Sequence, residues 1–304
     1  MMSKYFFRLG LGALAVGLVL SGCSLSKAPV SSQEVMRKFS QALSDLGSFH
    51  YDAELALWGN LPSGLNIDLS SSRIKLVGDV MSVNDLSPQF TLLAQVYADS
   101  KAGPLSITGR VIGLQNYTYF KLTDLLIPTL LPISIGADSQ WYRIRHIQNQ
   151  DSDPSVLGSG GTPTISPDQL EAIRELISNR TFFKVIEELP DETVVGQRSY
   201  HYLVRPKSDV LKQIAEQLSR ILQADDVAVD FGALENYVAD LWINKRNFNL
   251  AKLRIADEYI SEEGTVEFDF NLEMDRHNEQ LTIVAPQISE DIDGLDWLQR
   301  AGLF

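Results

Sequence analysis

Segments in which apolar and polar residues alternate run through most of the sequence and constrain its fold more than any other feature. In the clearest one, Val266, Phe268, Phe270 and Leu272 alternate with polar residues. Successive side chains of a β-strand point to opposite faces, so a period of two predicts a strand with one apolar face. Several such segments in succession predict an antiparallel meander. The other predicted strands are 50–57, 90–98, 105–111, 115–122, 140–145, 237–244 and 249–256.

Three further segments carry apolar residues at helical spacing instead. The first extends from Val35 to Leu46, and Ser31 has the position of its N-cap. The second begins at Ser166, with a proline in its first turn, and the third begins after Ser208. The sequence therefore predicts helices both before and within the series of strands.

The region 33–288 shows no internal repeat and no break in composition, which predicts a single α+β domain. A hairpin-like stretch runs from 182 through Pro190 and Asp191 to 204, and residues 281–285 are predicted to close the sheet. Residues 289–304 form an acidic C-terminal tail in this interpretation.

The first 22 residues have the features of a signal peptide. Lys4 and Arg8 precede an apolar run, Leu9 to Leu20, that is shorter than the roughly 20 residues needed to cross a bilayer. The net charge of the whole chain is −13, and removing residues 1–22 takes away two basic residues and no acidic one. A chain this acidic is not expected to bind nucleic acid, because binding to the phosphate backbone requires a basic surface.

The tetrapeptide Leu20, Ser21, Gly22 and Cys23 resembles the lipobox of bacterial lipoproteins. That resemblance implies cleavage before Cys23, acylation of its thiol, and a tether of residues 23–32. A tether of about nine residues reaches at most about 30 Å, so the folded region would stay close to the membrane. The alternative is a plain secretory signal with an incidental cysteine. Because Cys23 is the only cysteine, the chain can form no intramolecular disulfide.

The segment 125–135 is almost wholly apolar, although two prolines interrupt regular structure within it. Two interpretations remain open: a gate or membrane-touching lip of a cavity, or a loop folded onto the core. The candidate gate residues are Leu125, Leu126, Ile127, Leu130, Leu131 and Ile133.

No familiar catalytic or metal-binding pattern is present. His50, Asp52 and Glu54 share one face of a predicted strand, which is more typical of a solvated strand face than of a ligand set. The four histidines lack metal-ligand spacing, and there is no Gly-x-Ser-x-Gly nucleophile motif. We therefore expect no enzyme activity, no metal and no cofactor.

The order of elements resembles envelope lipoproteins of the LolA/LolB type and the mycobacterial LppX/LprG type. The resemblance spans about residues 33–288, and it implies an α+β half-barrel: a strongly curved antiparallel sheet that wraps helices and encloses an apolar cavity. The local sequences that carry it are Tyr119–Leu122, Trp141–Tyr142, Val204–Pro206, Leu241–Lys245 and Leu281–Pro286.

The expected function is that of a membrane-anchored envelope lipoprotein that binds a lipid or other hydrophobic ligand, without catalysis. The alternative is a structural or protein-interaction lipoprotein with a packed core and no ligand. Expected partners are the membrane, through acylated Cys23, a lipid or acylated ligand, and an envelope protein. The expected location is the outer face of the cytoplasmic membrane or the outer membrane. No basic surface cluster stands out as a docking site for an acidic partner, which argues against a soluble carrier. The attached Cys23 suits a fixed receptor or holder instead.

Overall fold

The main element of the computed structural model is one sheet of twelve strands. The residues that the structure describes are 31–59, 67–81, 88–100, 103–126, 140–145, 166–222, 232, 236–261 and 264–291. The strands are β1 Ser48–Gly59, β2 Ile67–Met81, β3 Gln89–Ser100, β4 Leu105–Leu114, β5 Tyr117–Leu126, β6 Tyr142–Arg145, β7 Phe183–Val194, β8 Gln197–Pro206, β9 Ala239–Asn244, β10 Leu250–Ser261, β11 Gly264–Asp275 and β12 Glu290–Asp291.

Neighbouring strands follow the order β12-β6-β5-β4-β3-β2-β1-β11-β10-β9-β8-β7. The sheet does not close, because β12 and β7 each have only one neighbour in this order. The pairs from β2 to β6 are antiparallel, as are those from β7 to β10, while β12 runs parallel to β6. This open, mostly antiparallel sheet, together with three helices, confirms the predicted α+β half-barrel class.

The helices are α1 Ser32–Ser44, α2 Pro167–Ser178 and α3 Ser208–Leu222, and the sequence predicted all three. The Ser31 hydroxyl accepts a hydrogen bond from the Glu34 amide, 3.3 Å away, at the start of α1. Ser166 and Gln169 form a reciprocal capping box at the start of α2. Such side chains satisfy backbone N–H groups that have no partner within the helix, which fixes where each helix begins.

Contacts between Cα atoms divide the chain into two compact units. The first, here called the helical unit, comprises Met1–Ala53, Ile165–Glu258 and Glu267–Gln280, and it contains all three described helices. The second, here called the meander unit, comprises Glu54–Thr164, Tyr259–Val266 and Leu281–Phe304, and it contains β2 to β6. Among the described residues, the buried apolar side chains outside the helical unit are Ala56, Tyr119, Leu125 and Leu281.

The core of the helical unit is closely packed. Helix α1 buries Val35, Met36 and Phe39, and it contacts both α2 and β7. The ring centroids of Phe39 and Phe183 lie 6.5 Å apart. Amphipathic helices contribute most to stability through such apolar faces, since short helices are marginal in water on their own.

The β7–β8 hairpin turns later than the sequence suggested. Strand β7 continues through Pro190 and Asp191 as an irregularity between Leu189 and Glu192. The turn falls at Val195 and Gly196, where φ is 50° and 74°. Two consecutive positive φ values suit the right-handed twist of the flanking strands, as in type I′ turns. Proline lacks a backbone N–H donor but is tolerated at a bulge on an edge strand. Pro190 can therefore lie within β7 and does not mark the turn.

Two other predictions differ from the structure. Strand β2, Ile67–Met81, was not predicted. The predicted closing strand 281–285 is wrong, because no strand lies between the end of β11 and β12. Within that segment Leu281 is buried, whereas Val284 is 67% exposed. The edge of β6 is instead occupied by β12.

We predict that Val195→Asn stabilises the fold by about 1 kcal/mol, because positive φ is costly for a β-branched residue and tolerated by asparagine. Val195 is exposed, so the substitution removes little packing. Urea unfolding measures the change in the free energy of unfolding. Val195→Ala should give a smaller gain in stability than Val195→Asn. A loss of stability in both variants would contradict the turn geometry described here.

Candidate functional site

The structure describes two of the ten residues that the sequence analysis assigned to the gate and the lipobox. Leu125 and Leu126 form the end of β5, and Leu125 is buried. The gate residues Ile127, Leu130, Leu131 and Ile133, and the lipobox residues Leu20, Ser21, Gly22 and Cys23, lie outside the described residues. Acylation of Cys23 and the gate both stay predictions.

The register of the meander unit places large apolar side chains on one side of β2 to β5. Leu92 of β3 lies opposite Val111 of β4, and Val111 lies opposite Phe120 of β5. Directly paired residues share one side of a sheet, so these three side chains form a row across the strands. On this side we define the apolar face by eight residues: Ile74, Leu76, Leu92, Val96, Ile107, Val111, Phe120 and Leu122. Val80, Phe90 and Leu125 lie on the same side, and Leu125 is buried.

All eight of these residues are half-buried. By contrast, Val204 and Ile243 on strands of the helical unit have 0% exposure. Apolar surface left in contact with water costs about 25 cal/mol per Å² relative to its burial. A face of eight large apolar side chains with no charged member can therefore gain free energy by covering itself with apolar material.

Two glycines of β4 lie on the apolar face, and their surroundings differ. A Cβ atom built on Gly113 would lie 2.2 Å from Cε1 of Phe90, so the Phe90 ring already covers that position. A Cβ atom on Gly109 would meet its nearest neighbour, the Lys121 carbonyl oxygen, at 3.6 Å. That distance is an ordinary contact, so position 109 has room for a Cβ atom on the apolar face.

The opposite side of the same strands carries a basic cluster that the sequence did not reveal. Arg110 of β4 lies directly opposite Lys121 of β5. Arg143 and Arg145 of β6 lie opposite Tyr119 and Tyr117 of β5, on that same side. The expectation that no basic cluster stands out is therefore wrong for the folded chain. The basic cluster, Arg110, Lys121, Arg143 and Arg145, forms only when the register joins three strands.

One member of the basic cluster is held by β12. Arg143 forms two hydrogen bonds to the Asp291 carboxylate, at 2.5 and 2.8 Å. This contact lowers the pKa of Asp291 and raises that of Arg143. Glu290 accepts a hydrogen bond from Gln140, 2.8 Å away. The acidic segment that the sequence indicated as a tail thus begins as a strand on the edge of β6.

A second polar group, in the helical unit, links strands β7, β8 and β9. Nε2 of His201 lies 2.9 Å from Asp240 Oδ1, and Nδ1 lies 3.3 Å from Glu192 Oε1. The indole of Trp242 donates to Glu192 and stacks on the His201 ring with centroids 4.2 Å apart. His201 is 8% exposed. Its carboxylate neighbours and stacked indole enclose the imidazole, so the group suits the joining of strands better than proton transfer to a ligand.

The predicted solvated strand face is consistent with the ion pair between Glu54 and Arg73, whose charged atoms lie 3.2 Å apart. Among the described residues, no group of three or more His, Cys, Asp or Glu side chains could hold a metal ion. Within the same residues, no helix has the length and apolar character that crossing a membrane requires.

Comparisons with known proteins yielded structural matches alone. No protein-family model matches the chain, and no curated protein matches it. Similar solved structures include LprF from Mycobacterium bovis, at 13% identity over 86% of this chain and 99% of that chain, with a TM-score of 0.42.

A putative outer membrane lipoprotein-sorting protein domain from Vibrio parahaemolyticus is 10% identical over 82% of this chain and 93% of that chain, with a TM-score of 0.22. The MucA/MucB complex of Pseudomonas aeruginosa gives 11% identity over 83% of this chain and 62% of that chain, with a TM-score of 0.28. The identities are all far below 25%, so these likenesses concern the fold alone.

We predict a pH-dependent stability from His277, which follows β11. Burial lowers its pKa to about 4, whereas an unfolded histidine titrates near 6.5. Between these values the unfolded chain binds a proton that the folded chain does not. The free energy of unfolding should therefore fall by about 2 kcal/mol as the pH falls from 6.5 to 4.5 through this residue alone.

Urea unfolding at several pH values would measure this contribution. His277→Gln and His277→Phe both remove the titrating group, and the second keeps a buried ring. Each should show a shallower loss of stability on acidification than the wild-type chain. An unchanged slope in both variants would contradict the assignment.

Proposed function

We propose that this chain is a membrane-anchored envelope lipoprotein that holds a lipid or other hydrophobic molecule against the apolar face of the meander unit. The observation that carries the proposal is the half-buried state of all eight members of that face. A ligand with an acyl chain would bury these side chains further, and each buried methylene is worth about 0.8 kcal/mol.

The chemistry of the apolar face favours binding by shape and apolar burial. Its eight side chains are Ile, Leu, Val and Phe, and none of them can donate or accept a hydrogen bond. The ligand part in contact with the face would accordingly be a hydrocarbon rather than a headgroup. Such binding requires no covalent step, which agrees with a carrier, receptor or holder that is not an enzyme.

The anchoring part of the proposal rests on the amino-terminal sequence. The apolar run Leu9 to Leu20 ends directly before Ser21, Gly22 and Cys23, as in a lipobox. Two or three acyl chains at one cysteine give stable membrane attachment, whereas a single chain gives only reversible binding. Eight residues separate Cys23 from the start of α1, so the anchor would hold the fold close to the bilayer.

We predict that intact-mass measurement of the chain purified from membranes finds residue 23 as the first residue, carrying acyl chains. Cys23→Ser should abolish the added mass and release the chain from the membrane fraction. The matched control is Ser24→Ala, which should leave both unchanged. A chain that keeps its membrane attachment after Cys23→Ser would contradict the anchor.

We predict that Gly109→Leu lowers the affinity for a fluorescent fatty acid about tenfold, since overfilling an apolar site costs about 1–3 kcal/mol. The contacts at Gly109 leave room for the new Cβ, so the fold should tolerate the change. Gln95→Leu is the matched control, because Gln95 is exposed and its neighbour Thr108 lies on the other side of the strands. The titration uses the mature chain carrying Cys23→Ser.

Equal effects of the two leucine variants would contradict a ligand on the apolar face. If the chain binds no acyl probe and releases no lipid on solvent extraction, the alternative holds, and the protein is a structural or protein-interaction lipoprotein. Crosslinking in intact cells would then identify its partner.

A further inference from the structure

The basic cluster has no role in the proposed hydrophobic binding, and the repulsion between its charges destabilises the fold. Arg110 and Lys121 are cross-strand partners, so their side chains start about 5 Å apart on the same side of the sheet. Like charges at directly opposed positions destabilise a pair of strands. The cost falls away when an anion lies over both side chains.

Several basic groups of this acidic chain pair with carboxylates, whereas most of those in the cluster do not. Elsewhere Arg73, Arg254 and Lys252 each pair with a carboxylate. Arg110, Lys121 and Arg145 form no ion pair within 4 Å of any residue in the described part of the chain. Arg110 and Arg145 are exposed.

Two carboxylates lie beside the cluster, and neither neutralises Arg110 or Lys121. Asp291 is engaged by Arg143. Asp124, farther along β5, accepts a hydrogen bond of 2.6 Å from Ser106. Arg110 and Lys121 thus remain available on neighbouring strands. Arg145 lies next to the Tyr117 ring, and its charge helps Arg143 to lower the pKa of Asp291.

We propose that the basic cluster docks the meander unit onto an anionic phospholipid surface. The proposal rests on the membrane anchoring of the proposed function and is independent of ligand binding. An acylated Cys23 would confine the chain to the membrane, so phospholipid phosphates are the anions that the cluster meets at high local concentration. The cluster sits on a sheet surface that spans three strands, and several headgroups can contact it together.

The net charge, −13 for the whole chain and two units more negative without residues 1–22, does not prevent this docking. At physiological ionic strength charges are screened over about 8 Å, so the surface potential felt by a bilayer is set by the groups nearest to it. Arg110 and Arg145 are exposed on the side opposite the apolar face, where they can approach phosphates directly. The docked orientation would leave the apolar face directed away from the headgroups.

The test is sedimentation of the mature chain carrying Cys23→Ser with phosphatidylcholine vesicles, with and without phosphatidylglycerol. We expect binding only to the anionic vesicles, weakening as salt is raised. A basic side chain near an anionic surface is worth about a fivefold change in affinity, so Arg110→Gln with Lys121→Gln should weaken binding about thirtyfold.

The matched control is Lys212→Gln with Arg220→Gln, which removes the same charge from exposed positions of α3. It should leave binding almost unchanged. Equal losses in the two double variants would show an effect of net charge and overturn the proposal. The melting temperature of the Arg110 and Lys121 variant should be equal to or above that of the wild type, since a like-charge pair is removed.

Binding to soluble polyglutamate without binding to anionic vesicles would also overturn the proposal, in favour of an acidic protein partner. The absence of an acyl anchor is detected separately, by the intact mass of the chain purified from membranes. Failure of ligand binding is read from the fatty-acid titration, which does not involve the basic cluster.

Discussion

The cross-strand register of β3, β4 and β5 determines both candidate surfaces of this protein. It pairs Leu92 with Val111 and Val111 with Phe120, and in the same ladder it pairs Arg110 with Lys121. A slip of one residue in one strand would move that strand's side chains to the opposite face. Such a slip would place charges among the apolar side chains and break up the basic cluster. The packing of Phe90 over Gly113 favours this register, because a Cβ atom there would collide with the ring.

The two units divide the tasks of stability and binding. The helical unit buries most of the apolar side chains that are fully buried in the described part of the chain. Its strands are also joined by the His201 group, in which the imidazole, two carboxylates and an indole interact. Among its described residues the meander unit has few fully buried side chains, and its apolar face is half-buried. A protein that holds a removable ligand requires such a surface, since a fully packed interior has no room for one.

Local patterns in the sequence were enough to predict most strands and all three helices. The alternation from Val266 predicted β11, and Ser166 predicted the start of α2. Strand β2 was missed because three consecutive serines, Ser70 to Ser72, and Gly78 interrupt its alternation. Residues 281–285 have strand-like composition, but strand formation also needs a free neighbouring edge, which the sequence does not show. The basic cluster combines residues 110, 121, 143 and 145, and only the register shows that they are neighbours.

Binding of a hydrophobic ligand to the apolar face can be observed by native mass spectrometry of the chain, released from its own membranes in mild detergent. We expect a species heavier than the acylated chain by the mass of one bound lipid, and we expect that lipid to dissociate on collisional activation. A bare acylated chain at every activation energy, together with no lipid in an organic extract of the same sample, would contradict it.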